Sequence, residues 1–359
     1  MKIVDKFLIK EFLRYFVLSL GFIVIIYLLF DLLQKLNYFI NLKTKLINIV
    51  IYYLYNLPSY IVLLFPVGVI LGAFFTIGRL ARQRELLALK SGGIDTYRVY
   101  LPLIITGTLL TLSSFFINEF LTTQAELRLR EFKRYKIEKR RPEAHLSRSY
   151  LFYYGRGGHI YFIRRYNGKD STLRNFSIWK FNKKRRVIER IDSPFAKWSN
   201  GEWEAKDVKV RKFTPQGERF SFYKTLRLKE IKERPEDFSK RVKGIDEMNF
   251  IELKRYIERM HRAAEPALRE SVEFNYRFSY PLINLILLII ALPLAGALRK
   301  GGVMLGLGLG LLFSFTYWGV IQVFKAMGVA GVLSPFLSAW IPNMVFSSIG
   351  VLLLLKTPR

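Results

Sequence analysis

Apolar residues in this chain come in long uncharged runs, interrupted once by a broad polar stretch. Residues 46–78, 99–118, 278–298, 301–324 and 326–355 contain no Asp, Glu, Lys or Arg. A helix that crosses a bilayer needs about 20 apolar residues, and a charge at its centre costs about 2.5–3.5 kcal/mol. Each run is therefore predicted to be a span. A first span begins at Tyr15 and reaches Leu33 if Asp31 sits at the interface. The run 46–78 exceeds one straight span, and Pro58 and Pro66 are expected to kink it or to end an interfacial lead-in. Six spans result, three on either side of a block at residues 122–276.

Inside that block the periodicity changes. Helix is expected to continue from Thr122 to Arg141, where Pro142 ends it. From Tyr150 to Ile231 short strands follow, with hairpin turns signalled by Gly157-Gly158, Asn167-Gly168 and Asn200-Gly201. Phe220, Phe222, Leu226 and Leu228 alternate with polar residues as one face, with Lys224 interrupting it. Trp179, Trp198 and Trp203 are expected core anchors. Several strands without intervening helices predict an antiparallel sandwich or roll. Its edges are either shielded by charge or stacked on a similar domain. Helix returns at Phe250, Leu253, Ile257 and Met260, which share one face and place that helix near the membrane surface. The expected organisation is residues 1–121 as spans one to three with a short helix at about 79–92, residues 122–276 as the β domain with flanking helices, and residues 277–359 as spans four to six.

Charge orients this arrangement. The 359 residues hold 57 Lys and Arg against 28 Asp and Glu. Lys2, Lys6, Lys10, Arg14, Arg79, Arg82, Arg84, Lys90, Arg98, Arg299, Lys300, Lys356 and Arg359 fall on one side of the predicted spans. Only Lys35, Lys43, Lys45 and Lys325 fall in short segments on the other. Basic residues in short loops stay in the cytoplasm. Both termini are thus expected inside and the β domain outside, in a multi-pass membrane protein. The helix after Lys10 lacks a small-residue cleavage site and is expected to remain inserted.

The chemistry of the chain excludes several classes. Cysteine is absent, and the histidines are His145, His159 and His261, none of them four residues from another. Neither a thiolate nor a zinc-hydrolase site is expected. There is no Walker A sequence and no G-x-S-x-G elbow, so no ATPase or hydrolase site of its own, no cofactor and no nucleic-acid partner are predicted. Ionisable residues are nearly missing from the spans, which argues against an ion-coupled relay. Asp31 and Glu119, near the outer span ends, are read as interfacial.

Three features carry mechanism. Between spans two and three, Arg82, Glu85, Leu86 and Leu89 lie on a short helix closed by Gly92. It is either a docking helix for a soluble partner or a plain basic loop. In span five Gly302, Gly306 and Gly310 recur every four residues, followed by Ser314, with a shorter version at Gly68, Gly72 and Thr76 in span two. Such a stripe serves close helix packing or a lipid gate. Lys35 after span one, with Arg130 and Lys133 after span three, are placed to meet a headgroup phosphate or to form a solvated helix face.

Several segments carry a family resemblance. They are Leu80-Ala81-Arg82-Gln83-Arg84-Glu85-Leu86 with Ser91-Gly92, Gly158-His159-Ile160-Tyr161-Phe162-Ile163, and Phe195-Ala196-Lys197-Trp198 with Trp203. Met248-Asn249-Phe250-Ile251-Glu252-Leu253 with Tyr256-Ile257, and Tyr280-Pro281-Leu282 through Leu292-Pro293-Leu294, complete the set. In this order, across the whole chain, they resemble the lipopolysaccharide-export permeases LptF and LptG (YjgP/YjgQ). The resemblance implies an α-helical membrane protein with six transmembrane helices and an inserted antiparallel β-jellyroll domain in the periplasm. It implies an LptF–LptG heterodimer above an LptB ATPase dimer, with LptC alongside. Lipopolysaccharide is then expected to leave the membrane lipid through gates at spans one and five and pass to the jellyrolls of LptC and LptA. Glu85 aligns with the glutamate that engages the ATPase. Lys35, Arg130 and Lys133 align with basic positions at the cavity mouth of LptG-type members, which favours that branch. The chain departs from the family at Thr123, where proline is common, and at Leu28, where some members carry lysine. A mechanotransmission-type ABC permease, with four spans and a large domain after the first, and a non-transport envelope scaffold remain as alternative classes.

Overall fold

In the bilayer core a backbone satisfies its own polar groups only as a helix or a closed barrel, and the apolar runs are helical here. The computed structural model describes residues 3–139, 147–155, 159–182, 186–214, 217–228, 231, 233–239, 243–262, 266–297 and 302–357. They divide into two compact units. One comprises Met1–Lys133, Ile245–Ile257 and Ala267–Arg359; the other comprises Arg134–Gly244 and Glu258–Pro266.

The first unit is helical. Helices α1 (Ile3–Asn41) and α2 (Leu46–Arg82) are followed by short α3 (Glu85–Ser91) and by α4 (Thr96–Phe116). A π-helical turn at Ile117–Thr122 joins α4 to α5 (Thr123–Phe132), and the helix runs on to Ile137. Pro142, expected to end it, lies outside the described residues. After α6 (Pro235–Ser239) and α7 (Phe250–Arg262) come α8 (Leu268–Ser279), α9 (Leu282–Ala297), α10 (Gly302–Val329) and α11 (Pro335–Leu355). Among the described residues five helical segments are long and apolar enough to cross a membrane, and α8 with α9 makes a sixth if the pair, bent by 44°, is one span. The bend falls at Pro281, which breaks the hydrogen-bond ladder, and α9 alone, at 16 residues, is too short to cross. Of the two outcomes expected at Pro58 and Pro66, an ending is not what forms: α2 runs through both. Prolines are tolerated in spans where neighbouring groups satisfy the freed carbonyls. In its most apolar window α2 is 72% buried, against 17% for α1 and 22% for α10. It is the central post, with α1, α9 and α10 packed around it.

The second unit contains an antiparallel sheet of six strands among the described residues: β1 (Ser147–Tyr154), β2 (Ile160–Asn167), β3 (Thr172–Phe181), β4 (Val187–Ser199), β5 (Glu202–Thr214) and β6 (Gly217–Arg227). The inserted antiparallel β domain is present, and its connectivity is a meander, each strand pairing with its sequence neighbours. Asn200-Gly201, at φ 51° and 84°, makes a two-residue hairpin closed by the Ser199–Glu202 pair. Asn167 ends β2, as its turn signal predicted; Gly157-Gly158 lies outside the described residues.

A crease explains how one meander encloses a core. The paired registers step over Tyr150 and Arg164, Arg164 and Asn175, Asn175 and Pro194, and Asp207 and Lys224. Tyr150, Asn175 and Asp207 have φ of 56°, 48° and 51°, and Pro194 has no N–H to pair. Along this line the register holds while a residue on each paired strand is left out of the ladder, and the inward face shifts by one residue. Inward residues there are three apart rather than two: Ile163 and Tyr166, Leu173 and Phe176, Ser193 and Ala196, Ala205 and Val208, all buried.

The crease corrects two expectations. Phe220 and Phe222 are outward and exposed, whereas Leu228 is buried and Leu226 packs on the core, because the facing reverses at Lys224. Trp203 is fully buried with Trp198 against it at 5.2 Å, but Trp179 is half-buried on the outer face under the Arg190 guanidinium.

A strap, including α6 (Pro235–Ser239), fills the inside. Phe238 lies 5.2–6.0 Å from the rings of Tyr153, Tyr161, Tyr166 and Trp203, which come from both sides of the crease. Buried Glu233 accepts from the Tyr161 hydroxyl, and its carbonyl accepts from Trp203 Nε1 at 2.8 Å. Burial, then that hydrogen bond, pushes the Tyr161 phenol well above its ordinary pKa. After the strap, α7 (Phe250–Arg262) turns Leu253 fully inward and Ile251 outward, as its periodicity predicts.

Candidate functional site

A cavity of about 1030 Å³ opens among α1, α2 and α10. Phe22, Ile26 and Phe30 line it from α1, Val67, Leu71 and Phe75 from α2, and Leu307, Leu311 and Phe315 from α10. Its polar exceptions include Arg79 and Arg82, at the C-terminal end of α2, and two serines. Ser19 and Ser314 are both 6% exposed, and neither hydroxyl has a hydrogen-bond partner among the described residues.

Glycines set the spacing of these walls. A Cβ on Gly72 would stand 3.1 Å from the backbone of Phe16, so any larger residue would push α1 away from α2 by a few tenths of an ångström. A Cβ on Gly310 would stand 2.8 Å from Leu71, and one on Gly306 3.3 Å from Phe74. The span-five stripe therefore packs α10 onto α2 within the chain, and Ser314 continues it into the cavity wall. Gly302 is the first residue of α10, and its surroundings lie outside the described residues.

At the far end of α2, Arg84 adopts φ 60° and turns the chain into α3. Leu86 is buried and Leu89 packs on the helical core. The two leucines thus hold α3 down rather than facing outward. Leu87, which the spacing did not single out, is 50% exposed. Arg82 is exposed and Glu85 half-exposed, and among the described residues they form no ion pair with each other. Gly92 caps α3 through its N–H on the Ala88 carbonyl at 3.0 Å, while the left-handed residue is Gly93 at φ 82°. Arg79–Glu11 at 2.9 Å and Arg98–Asp5 at 2.8 Å tie the start of α1 to α2 and α4.

The three basic headgroup candidates are near one another but differ in company. Lys35 Nζ contacts Asp31 at 2.9 Å and donates to the Tyr52 hydroxyl at 3.1 Å. Asp31 also accepts from Tyr53 at 3.0 Å and Tyr60 at 3.1 Å, so it is the hub of a network rather than a carboxylate facing water. Lys133 Nζ stands 5.4 Å over the ring of Tyr38, which continues through Phe39 to Tyr52. Arg130, 56% exposed, contacts Glu247 at 2.6 Å.

Glu119, read as interfacial, is buried inside the protein. It is 1% exposed and faces Arg277, itself 6% exposed, at 3.2 Å. Glu119 also accepts from the Phe250 N–H at 2.8 Å, and Arg277 donates to the carbonyls of Met248 and Ile245. The pair pins residues 245–250 to the π turn and to α8. Thr123 joins this turn by bonding the carbonyl of Asn118, five residues back, at 3.3 Å. Sequence reasoning passed over Arg277; the available signal was a lone acid and a lone base, each at the edge of an uncharged run.

Long apolar helices, an inserted antiparallel sheet and an apolar cavity walled by three spans define a polytopic permease-type membrane protein. A model of the family "Lipopolysaccharide export system permease LptF/LptG" matches residues 6–356. The chain belongs to that family. It is 22% identical over 313 residues to the lipopolysaccharide export system permease protein LptG of Escherichia coli strain K12, covering 85% of this chain and 84% of that protein. The LptG of Escherichia coli O6:H1 matches to the same extent.

Proposed function

We propose that this chain is the LptG-type permease subunit of an ABC exporter that extracts lipopolysaccharide from the inner membrane and passes it to a periplasmic β-jellyroll bridge. The observation that carries the reading is the 1030 Å³ cavity. Its size is at the top of the roughly 300–1,000 Å³ range of ligand pockets, and its walls are aliphatic and aromatic, as acyl chains require. In this reading α1 and α10 are the movable edges. An LptF-type permease faces them, LptC stands alongside, and both termini are cytoplasmic.

The chain's own residues take distinct roles. Leu86 and Leu89 anchor α3, so that Arg82, Glu85 and Leu87 meet an LptB ATPase dimer, which supplies the hydrolysis. Gly92 ends that helix. Lys35, Arg130 and Lys133 meet headgroup phosphate. Lys133 leads, because among the described residues it has no carboxylate partner while Lys35 and Arg130 do. Gly306 and Gly310 hold α10 against α2 while its outer face moves.

Co-purification from native membranes is expected to bring down an LptF-type chain and an LptB-type ATPase, and Glu85→Lys to abolish stimulation of that ATPase without loss of the permease. A photocrosslinker at Phe22 or Phe315 should capture lipopolysaccharide, and one at Lys133 should capture its headgroup. ATPase stimulation unchanged by Glu85→Lys, together with no lipid captured at either cavity position, would falsify this assignment.

A further inference from the structure

A second cavity, of about 300 Å³, lies beside the first, between the N-terminal half of α2, the π turn, α8 and the C-terminal end of α10. Leu63, Tyr280 and Trp318 line both cavities, so the two share a wall. Their linings are opposite in character. Ser59, Asn118, Thr122, Glu126, Asp246, Glu273, Gln322 and Lys325 border the small one, and Arg277 closes it.

Most of that charge is already spent. Lys325 Nζ is 2.7 Å from Glu273 and 5.3 Å over the Tyr276 ring. Arg277 is engaged by Glu119 and two carbonyls. Glu126 accepts from Ser59 at 2.9 Å. Polar groups that line the cavity and remain unengaged among the described residues include the buried hydroxyl of Thr122, the amides of Asn118 and Gln322, the carboxylate of Asp246 and the indole N–H of Trp318.

This residue set selects among ligands. A phosphate carrying about −1.5 to −2 charges would meet three carboxylates, with both cations already paired. An acyl chain would leave the unengaged groups without partners once water is expelled. A ring bearing several hydroxyls suits them, because each hydroxyl offers one donor and two acceptors. The faces of Trp318 and Tyr280 can take the ring's C–H side. At 300 Å³ the cavity has room for a small ring system and not for a lipid tail.

We infer that this cavity binds an unphosphorylated sugar ring of the same amphipath whose acyl chains occupy the larger cavity, with Asn118, Thr122, Asp246 and Gln322 reading its hydroxyls. The inference rests on the glycolipid-export reading above. It adds a subsite distinct from the phosphate contacts of Lys35, Arg130 and Lys133.

The test uses the full chain with its co-purified partners in nanodiscs prepared without sugar detergents. The probes are fluorescent monoglucosyl diacylglycerol, the same diacylglycerol without sugar, and phosphatidylglycerol. Gln322→Leu and Asp246→Ala change exposed positions, so the fold is kept; an unchanged melting temperature checks this. The unsubstituted protein is expected to prefer the glucosyl lipid over the bare diacylglycerol about tenfold. Each variant should remove most of that preference and leave phosphatidylglycerol binding unaltered. Equal binding of the two diacylglycerols, or a preference that survives both variants, overturns the sugar subsite. Free glucose competing as well as the glucosyl lipid overturns the assignment to a lipid-borne ring. Failure of every lipid to bind the unsubstituted protein refutes the larger cavity's role instead, and so is distinguishable.

Discussion

Glu119 and Arg277 illustrate how much one charged pair decides when both members are buried. Leaving either alone strands a charge, which costs about 3–5 kcal/mol, whereas replacing both with apolar residues of similar size is close to neutral. Arg277→Met is therefore expected to lower the melting temperature sharply, and Glu119→Leu with Arg277→Met to recover part of it in the same thermal assay, since the Phe250 N–H and the carbonyls of Met248 and Ile245 still lose their partners. Recovery in the double variant is the discriminating outcome; two additive losses would mean the pair is not the cause. Glycines differ by position in the same way. Gly72→Ala pushes a methyl into the Phe16 backbone and should destabilise by about 1–3 kcal/mol. A Cβ on Gly308 meets nothing within 4 Å, so Gly308→Ala in the isolated chain should stabilise by about 0.5–1 kcal/mol, read from the same melts. The repeat announced small residues in α10; it could not say which of them face α2, since that depends on the rotation of a helix apolar on every side.

Elements show where the chain was legible and where it was not. Long helices and hairpin turns follow from local signals: uncharged length, and Asn-Gly at positive φ. The crease does not, because it is a property of six strands in register. Its only trace was Lys224 breaking an alternation, and the residues beyond it belong to the opposite face. Asp207→Val places a β-branched side chain at φ 51° and is expected to cost at least about 1–2 kcal/mol, while Asp207→Gly is expected to be neutral or stabilising. A Val variant as stable as the parent would mean the crease is not held there. The strap inside has its own cost: Phe238→Ala should lose about 3–5 kcal/mol, and an acyl chain received on that inner face would first have to displace this ring. On α3 the residue types were legible but their directions were not. Leu86→Ala should cost about 2 kcal/mol in stability by exposing the underside of the helix. Leu87→Asp should leave the melting temperature alone and weaken ATPase stimulation. If both variants behave alike, the inward and outward assignment is wrong.

For the whole molecule, topology was the most readable level, because it depends only on where charge is missing. Orientation can be tested cleanly, since the natural sequence has no cysteine. Lys209→Cys in β5 should react with a membrane-impermeant maleimide on intact spheroplasts, and Ser91→Cys in α3 only after permeabilisation. The reverse pattern would invert the reading. How spans cooperate was less visible, since nothing in the uncharged run 46–78 says that both prolines are absorbed and the helix stays whole. That continuity has a mechanical consequence. At 37 residues α2 is a rod about 55 Å long. It carries α3 just past one end and Tyr52, Tyr53 and Tyr60, which ring Asp31, towards the other. As a lever pivoting at the end that carries α3, it moves its opposite tip by about 5 Å for a tilt of about 5°. A thrust too small to disturb packing where it is applied thus arrives, one membrane thickness away, as a displacement the size of a side chain.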